Sequence, residues 1–183
     1  MSQRKILRDD LRFTWNSVIE HQYTNRRIDS EASLQVHFAA ALLGRFESEG
    51  RTRRIFVEPT IKILSPKLHK IPDLLICNQR SIIGMVELKY KPRGRVDYRK
   101  DLETLLALSE QRLEFSVSNA RYLGPKKVGK VFSLAPNAVL CWAAVYRGKR
   151  VADESFLRAE AREEFLALHA LTSEEHEAFI CTS

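Results

Sequence analysis

The segment Ile71-Pro72-Asp73-Leu74-Leu75-Ile76 is followed along the chain by Gly84-Met85-Val86-Glu87-Leu88-Lys89-Tyr90. Both are short apolar runs with the composition of strands, and both are interrupted by charge. Asp, Glu and Lys are almost never buried unless paired or bound to a metal. Two carboxylates and an ammonium in neighbouring apolar strands therefore need a joint explanation.

Alternate residues of a strand share a face, so Glu87 and Lys89 project together and Leu88 projects oppositely. In an antiparallel hairpin, facing residues have a constant index sum. A sum of 160 sets Asp73 opposite Glu87 and Ile71 opposite Lys89. It leaves a loop of three residues, 79–81, or of five if Asn78 and Ile82 are unpaired; both are ordinary hairpin lengths. A four-residue loop shifts the sum by one and sends the carboxylates to opposite faces.

Facing carboxylates repel each other, so either one pKa rises or a divalent cation neutralises the pair. Oxygen ligands with open positions suit magnesium, with manganese as the substitute; magnesium keeps several waters and accepts substrate phosphate oxygens. A lysine beside the ion can hold the attacking water or stabilise charge on phosphate. Asp73, Glu87 and Lys89 thus read as a catalytic set for metal-assisted phosphodiester hydrolysis. The competing reading is an ion-pair cluster at a sheet end with no metal.

Working outward, residues 3–20 predict a helix, with Leu7, Leu11, Trp15 and Val18 on one stripe. Residues 24–29 break the pattern. Ser30 is a good N-cap, and Leu34, Phe38, Leu42 and Phe46 follow at steps of four, up to a stop at Gly50. Residues 54–64 predict one strand, 97–111 a helix and 137–146 a buried strand. Residues 153–170 predict a further helix, carrying Phe156, Leu157, Phe165, Leu166 and Leu168. The order α-α-β-β-β-α-β-α predicts an α/β domain around a mixed sheet.

In that setting Pro72-Asp73 and Glu87-Leu88-Lys89 resemble the PD and E-x-K elements of the PD-(D/E)XK nucleases, the restriction-endonuclease-like superfamily. The resemblance covers residues 30–146. It implies an αβββαβ core, a mixed central sheet flanked by helices, with extra N- and C-terminal helices. The expected organisation is one nuclease-like domain over 1–183: an N-terminal helix in 1–29, the core in 30–146 and acidic C-terminal helices in 147–183. In such enzymes the Asp and Glu bind the metal, often with the backbone carbonyl of the residue between Glu and Lys, here Leu88. Many add a Glu from the helix before the strands. Glu31 is the matching residue, with Gln35 one turn later; Glu58, beside Pro59, ranks below it. The implied activity is a magnesium-dependent nuclease acting on DNA. The alternative is a noncatalytic nucleic-acid-binding module that keeps the fold.

Charge supports a polyanionic partner. The 183-residue chain carries a net +7, but residues 151–183 hold two Arg against eight Asp/Glu, a net −6, which leaves +13 on residues 1–150. Lys91, Arg93, Arg95, Arg99 and Lys100 follow the E-x-K strand, and Lys126, Lys127 and Lys130 lie in a glycine-containing stretch, so both groups are candidate phosphate contacts. Gly124 to Lys130 matches a P-loop, but the next position is Val131, where a magnesium-binding hydroxyl is required. Arg51, Arg53 and Arg54 form another basic turn, and His69 precedes the PD element.

No apolar stretch reaches the length of a membrane span, and the basic start is not followed by the apolar core of a secretory signal. Cys77, Cys141 and Cys181 match no disulfide framework or zinc ligand set, which points to a reducing, cytoplasmic setting without a membrane partner. A homodimer or a larger nucleic-acid-processing complex is compatible with this reading.

Overall fold

The computed structural model describes residues 2–59, 61–63, 72–110, 115–118, 130–148, 163–173 and 179–182. Helix α1 spans Gln3–Val18 and runs on into a π-helical turn, Ile19–Tyr23. Helix α2 spans Glu31–Ser48. Strands β1 (Arg54–Val57), β2 (Ile61–Ile63), β3 (Leu74–Cys77) and β4 (Ser81–Lys91) follow. Helix α3 (Arg99–Glu110) precedes β5 (Phe115–Ser118), β6 (Val131–Arg147), β7 (Phe165–Thr172) and β8 (Phe179–Thr182).

The helix boundaries follow their local signals. The Ser30 hydroxyl accepts from the Ser33 N–H at 3.2 Å, and the Ser33 hydroxyl accepts from the Ser30 N–H at 3.0 Å, so the two serines cap reciprocally. At the other end Gly50 has φ +64°. The Arg51 N–H donates to the Phe46 carbonyl and the Gly50 N–H to the Glu47 carbonyl, the paired bonds of a Schellman stop.

The strands form one mixed sheet in the order β1-β3-β4-β6-β5-β2, and β7 pairs with β6 and β8 with β7. β4 and β6 are parallel, as are β6 and β7. β6 spans 17 residues: its first part pairs with β5 and its second with β7. The apolar stripes of α1 and α2 bury one sheet face, with Leu74, Ile76, Val86 and Leu88. α3 covers the other with Leu102 and Leu105 against Leu75, Met85, Phe132 and Trp142. The chain is thus a three-layer α/β domain in which strands buried on both faces carry the core.

Four expectations change. Residues 54–64 are two strands instead of one. The chain breaks at Glu58, which has φ +42°, and at Pro59, which has no N–H for a ladder. β1 then pairs with β3 while β2 pairs with β5. Second, β5 lies beside β6 where no strand was expected. Third, the C-terminal helices are replaced, over the described residues, by β7 and β8. Every residue from Phe165 to Thr172 is buried, so the run has no polar face from which to read a period, and its partner β6 decides for strand. Finally, Arg51 and Arg53 do not form an open basic patch. With Arg45 they converge on Asp10 of α1, which is 1% exposed. Arg53 is 2.9 Å from it and Arg45 3.4 Å.

Among the described residues no helix is long and apolar enough to cross a membrane. Lys126, Lys127 and His69 lie outside them, as do residues 151–162.

Asp10 is the shared acceptor that ties α1 to α2 and to the lead into β1. Asp10→Ala is expected to lower unfolding free energy by about 3 kcal/mol, since it breaks a buried ion pair. The urea midpoint measures it; a loss below ~1 kcal/mol would mean that apolar packing alone joins the helices.

Candidate active site

The β3–β4 hairpin sets the site. Its turn, Asn78-Gln79-Arg80, is closed by the Asn78 side chain, whose Oδ1 accepts from the N–H groups of Arg80 and Ser81, both at 2.8 Å. Next to the turn Cys77 faces Ile82, an index sum of 159. That register, continued, would put Asp73 opposite Val86 and send Glu87 to the other face. It does not continue. A bulge at Ile83 adds one residue to β4, and from Ile76↔Gly84 onward the sum is 160. One step beyond Leu74↔Val86, Asp73 comes opposite Glu87.

The bulge turns two consecutive residues, Ile83 and Gly84, toward α1. A Cβ on Gly84 would lie 2.9 Å from Leu7 Cδ2 and 3.3 Å from Ile76 Cδ1, so glycine is what lets α1 approach here.

Asp73 sits just before β3 and is well anchored. Its carboxylate Oδ2 accepts from the Leu88 N–H at 2.6 Å. Its carbonyl accepts from Gln35 Nε2 at 3.2 Å and from the Glu58 N–H at 2.9 Å. Gln35 and Glu58 thus fix the backbone of Asp73, and the Glu58 carboxylate itself is exposed. Glu87 is buried on the central strand β4. Lys89 Nζ donates to Glu87 Oε1 at 2.9 Å and to the Leu88 carbonyl at 3.0 Å. Glu31, in the first turn of α2, places Oε1 3.5 Å from Lys89 Nζ, and its Oε2 accepts from the Tyr90 N–H.

One further carboxylate reaches the place. Asp101 of α3 is buried, with Oδ2 3.7 Å from Lys89 Nζ. The sequence carries a signal for it: Asp101 precedes Leu105 by four residues, so an acid lies on the buried stripe of α3. Three carboxylates, those of Glu87, Glu31 and Asp101, therefore lie within 3.7 Å of the Lys89 ammonium, and Asp73 feels its charge from farther off. Burial first, and then the Glu87 charge, push the Asp73 carboxyl up to about 7, against the Leu88 hydrogen bond and the Lys89 charge that pull it down. For Lys89 burial acts downward, but Glu87, Asp101 and Glu31 outweigh it and hold the ammonium above its usual range.

Among the described residues no group of three or more His, Cys, Asp or Glu is gathered as a set of metal ligands; the Lys89 ammonium stands between the acids. Lys91, Arg93, Arg95, Arg99 and Lys100 are exposed along the end of β4 and the segment leading into α3. Lys130 is elsewhere. Its Nζ reaches the Gln79 carbonyl at the turn of the hairpin, roughly 20 Å from Glu87 at the rise of an extended strand.

No protein-family model matches the chain, and a search of curated proteins finds no match. The α/β architecture, a mixed sheet between helices, is compatible with a nuclease-like scaffold.

The raised Asp73 pKa has a definite sign for stability. Below about pH 4 the carboxyl is protonated in both folded and unfolded chains and contributes nothing. As pH rises toward 7 the unfolded chain ionises first, so the folded state loses stability, and the full penalty stands above about 7. Asp73→Asn keeps an acceptor for the Leu88 N–H. Without divalent cations it is expected to raise Tm at pH 8, the gain fading on acidification to pH 4. A gain independent of pH would contradict the assignment.

Proposed function

We propose that this protein is a magnesium-dependent nuclease of the PD-(D/E)XK type, hydrolysing phosphodiester bonds in DNA. The observation that carries the reading is the restored register of β3 and β4, which sets Asp73 across from Glu87 with Lys89 on the face of Glu87. Such a cluster is a costly way to stabilise a sheet. Burial penalises the Asp73, Glu87 and Asp101 charges, and Glu87, Glu31 and Asp101 all draw on the one Lys89 ammonium.

The donors suit a hard divalent cation. Asp73, Glu87 and the Leu88 carbonyl would hold magnesium or manganese, and magnesium commonly takes only one or two carboxylates from a protein. Bound there, the cation would neutralise the facing carboxylates and lower the pKa of a water. Glu31, 45% exposed at the mouth of the site, would orient water or an outer ligand. Lys89 would lie against the attacking water or a phosphate oxygen, where its charge counts most in the transition state. Water's oxygen forms the new bond to phosphorus as the bond to the leaving oxygen breaks. Lys91, Arg93, Arg95, Arg99 and Lys100 would hold the phosphates either side of the scissile one. Lys126 and Lys127 are proposed as further contacts from their charge; Lys130 belongs to a different part of the surface.

One observation favours a second reading, a noncatalytic nucleic-acid-binding module. Lys89 already pairs with Glu87 and the Leu88 carbonyl, so the site is partly neutralised without a metal.

Supercoiled and linear DNA incubated with magnesium, and with EDTA, separate the two. Cleavage that EDTA abolishes is expected, and Lys89→Ala should lower its rate at least about 100-fold while DNA binding persists. A wild type that never cuts, with a Lys89→Ala variant weakened by about 3–5 kcal/mol in urea, would establish the structural cluster instead.

Phosphate contact also sets the salt response. Log affinity for duplex should fall linearly with log salt, by about 0.9 per phosphate neutralised. Charge reversal at Arg93 and Arg95 should reduce that slope, whereas reversal at Lys130 should not. Equal effects at both places would remove the proposed DNA path.

A further inference from the structure

Lys89 Nζ faces four oxygens from separate parts of the chain. It bonds to Glu87 Oε1 and the Leu88 carbonyl at 2.9 and 3.0 Å, with Glu31 Oε1 at 3.5 Å and Asp101 Oδ2 at 3.7 Å. The first two oxygens are those assigned above to the divalent cation. An ammonium and a metal ion drawn to the same carboxylate and carbonyl repel each other across a few ångströms. Entry of the cation therefore favours movement of Nζ away from Glu87 and Leu88.

Two carboxylates stand near enough to receive it. The Glu31 side chain is 45% exposed, so water and salt weaken its pull. The Asp101 side chain is 4% exposed, and its charge acts through the protein interior. Its position is also set by packing. The Asp101 N–H donates to the Tyr98 carbonyl, Tyr98 stacks edge-on against Trp142, and Trp142 is the β6 neighbour of Glu87. Rotation about the flexible lysine stem can turn the 3.7 Å ion pair into a hydrogen bond without moving the backbone.

We propose that Asp101 is a positioning residue that receives the Lys89 ammonium when a divalent cation takes the Glu87 and Leu88 oxygens. Lysine and metal then alternate at one place. In the cation-free protein Lys89 masks the ligands; in the loaded protein Asp101 keeps the ammonium beside the reacting phosphate instead of letting it swing into solvent. No covalent bond changes. The inference rests on the metal-dependent reading and adds a member of the site that neither motif contains.

The test is a double-mutant cycle read as manganese affinity, by paramagnetic resonance of the free ion and without nucleic acid. The proteins are wild type, Asp101→Asn, Lys89→Met and the double variant, with a melting curve for each. Asp101→Asn should bind manganese about tenfold more weakly, because Lys89 has lost its second seat, and Lys89→Met should bind more tightly than wild type. In the Lys89→Met background the Asp101 substitution should change affinity by no more than about twofold. Asp101→Glu should recover most of the wild-type affinity. Should Asp101→Asn not fold, Asp101→Ser replaces it in the same cycle. Equal losses in both backgrounds would overturn the inference, since Asp101 would then act as a fixed charge or a structural group. If wild type binds manganese and cuts DNA while the cycle is additive, this inference falls alone. If wild type binds no divalent cation, the nuclease reading falls with it.

Discussion

A side chain on a sheet lies on one face or the other, and one residue of slippage exchanges the two. In this protein that constraint rests on the pairing of β3 with β4. The Asn78 turn starts the hairpin in a register that would separate Asp73 from Glu87, and the extra residue at Ile83 reverses it. Much of the architecture agrees with the corrected register. Leu74, Ile76, Val86 and Leu88 face α1 and α2, while Leu75 and Met85 face α3. Gly84 accommodates the bulge where it meets Leu7. The apolar core and the charged cluster thus require the same parity, and each restrains the other from slipping.

The molecule holds two buried charge clusters with opposite balance. Around Asp10 three guanidinium groups converge on one buried carboxylate, and Arg45 and Arg51 pair in addition with the more exposed Glu49 carboxylate. Around Lys89 acids from β4, α2 and α3 meet one ammonium, and Asp73, just before β3, is partly buried beside Glu87. The first arrangement satisfies itself and ties α1 to α2. The second raises the pKa of Asp73. That difference, more than the number of charges, separates a structural cluster from a candidate site.

Much of the frame was legible because it depends on neighbours along the chain. The α1 and α2 stripes repeat with helical period, and Ser30 and Gly50 mark the ends of α2 by local hydrogen bonding and backbone conformation. The parity of Glu87 with Lys89 follows from strand geometry. The errors fall where distant segments decide. β7 is buried throughout, so its pattern suits helix or strand equally until β6 is placed beside it. The break at Glu58-Pro59 was visible as a proline, yet which strands the two halves join depends on β3 and β5. Asp101 was in view on the buried stripe of α3, but its role appears only when α3 is laid across β4.

By itself the sequence determined that two carboxylates and a lysine had to be reconciled with apolar strands, because burying charge is costly whatever the fold. It also determined that Glu87 and Lys89 share a face, because a strand alternates. Only the tertiary structure decided that Asp73 joins them, since that depends on a bulge whose position the pattern of apolar residues does not reveal. Likewise it alone brought Glu31 and Asp101 to Lys89 from two helices on opposite sides of the sheet, and sent Lys130 to the far end of the hairpin. Local geometry is written in neighbouring residues; which distant charges meet is settled by how the layers pack.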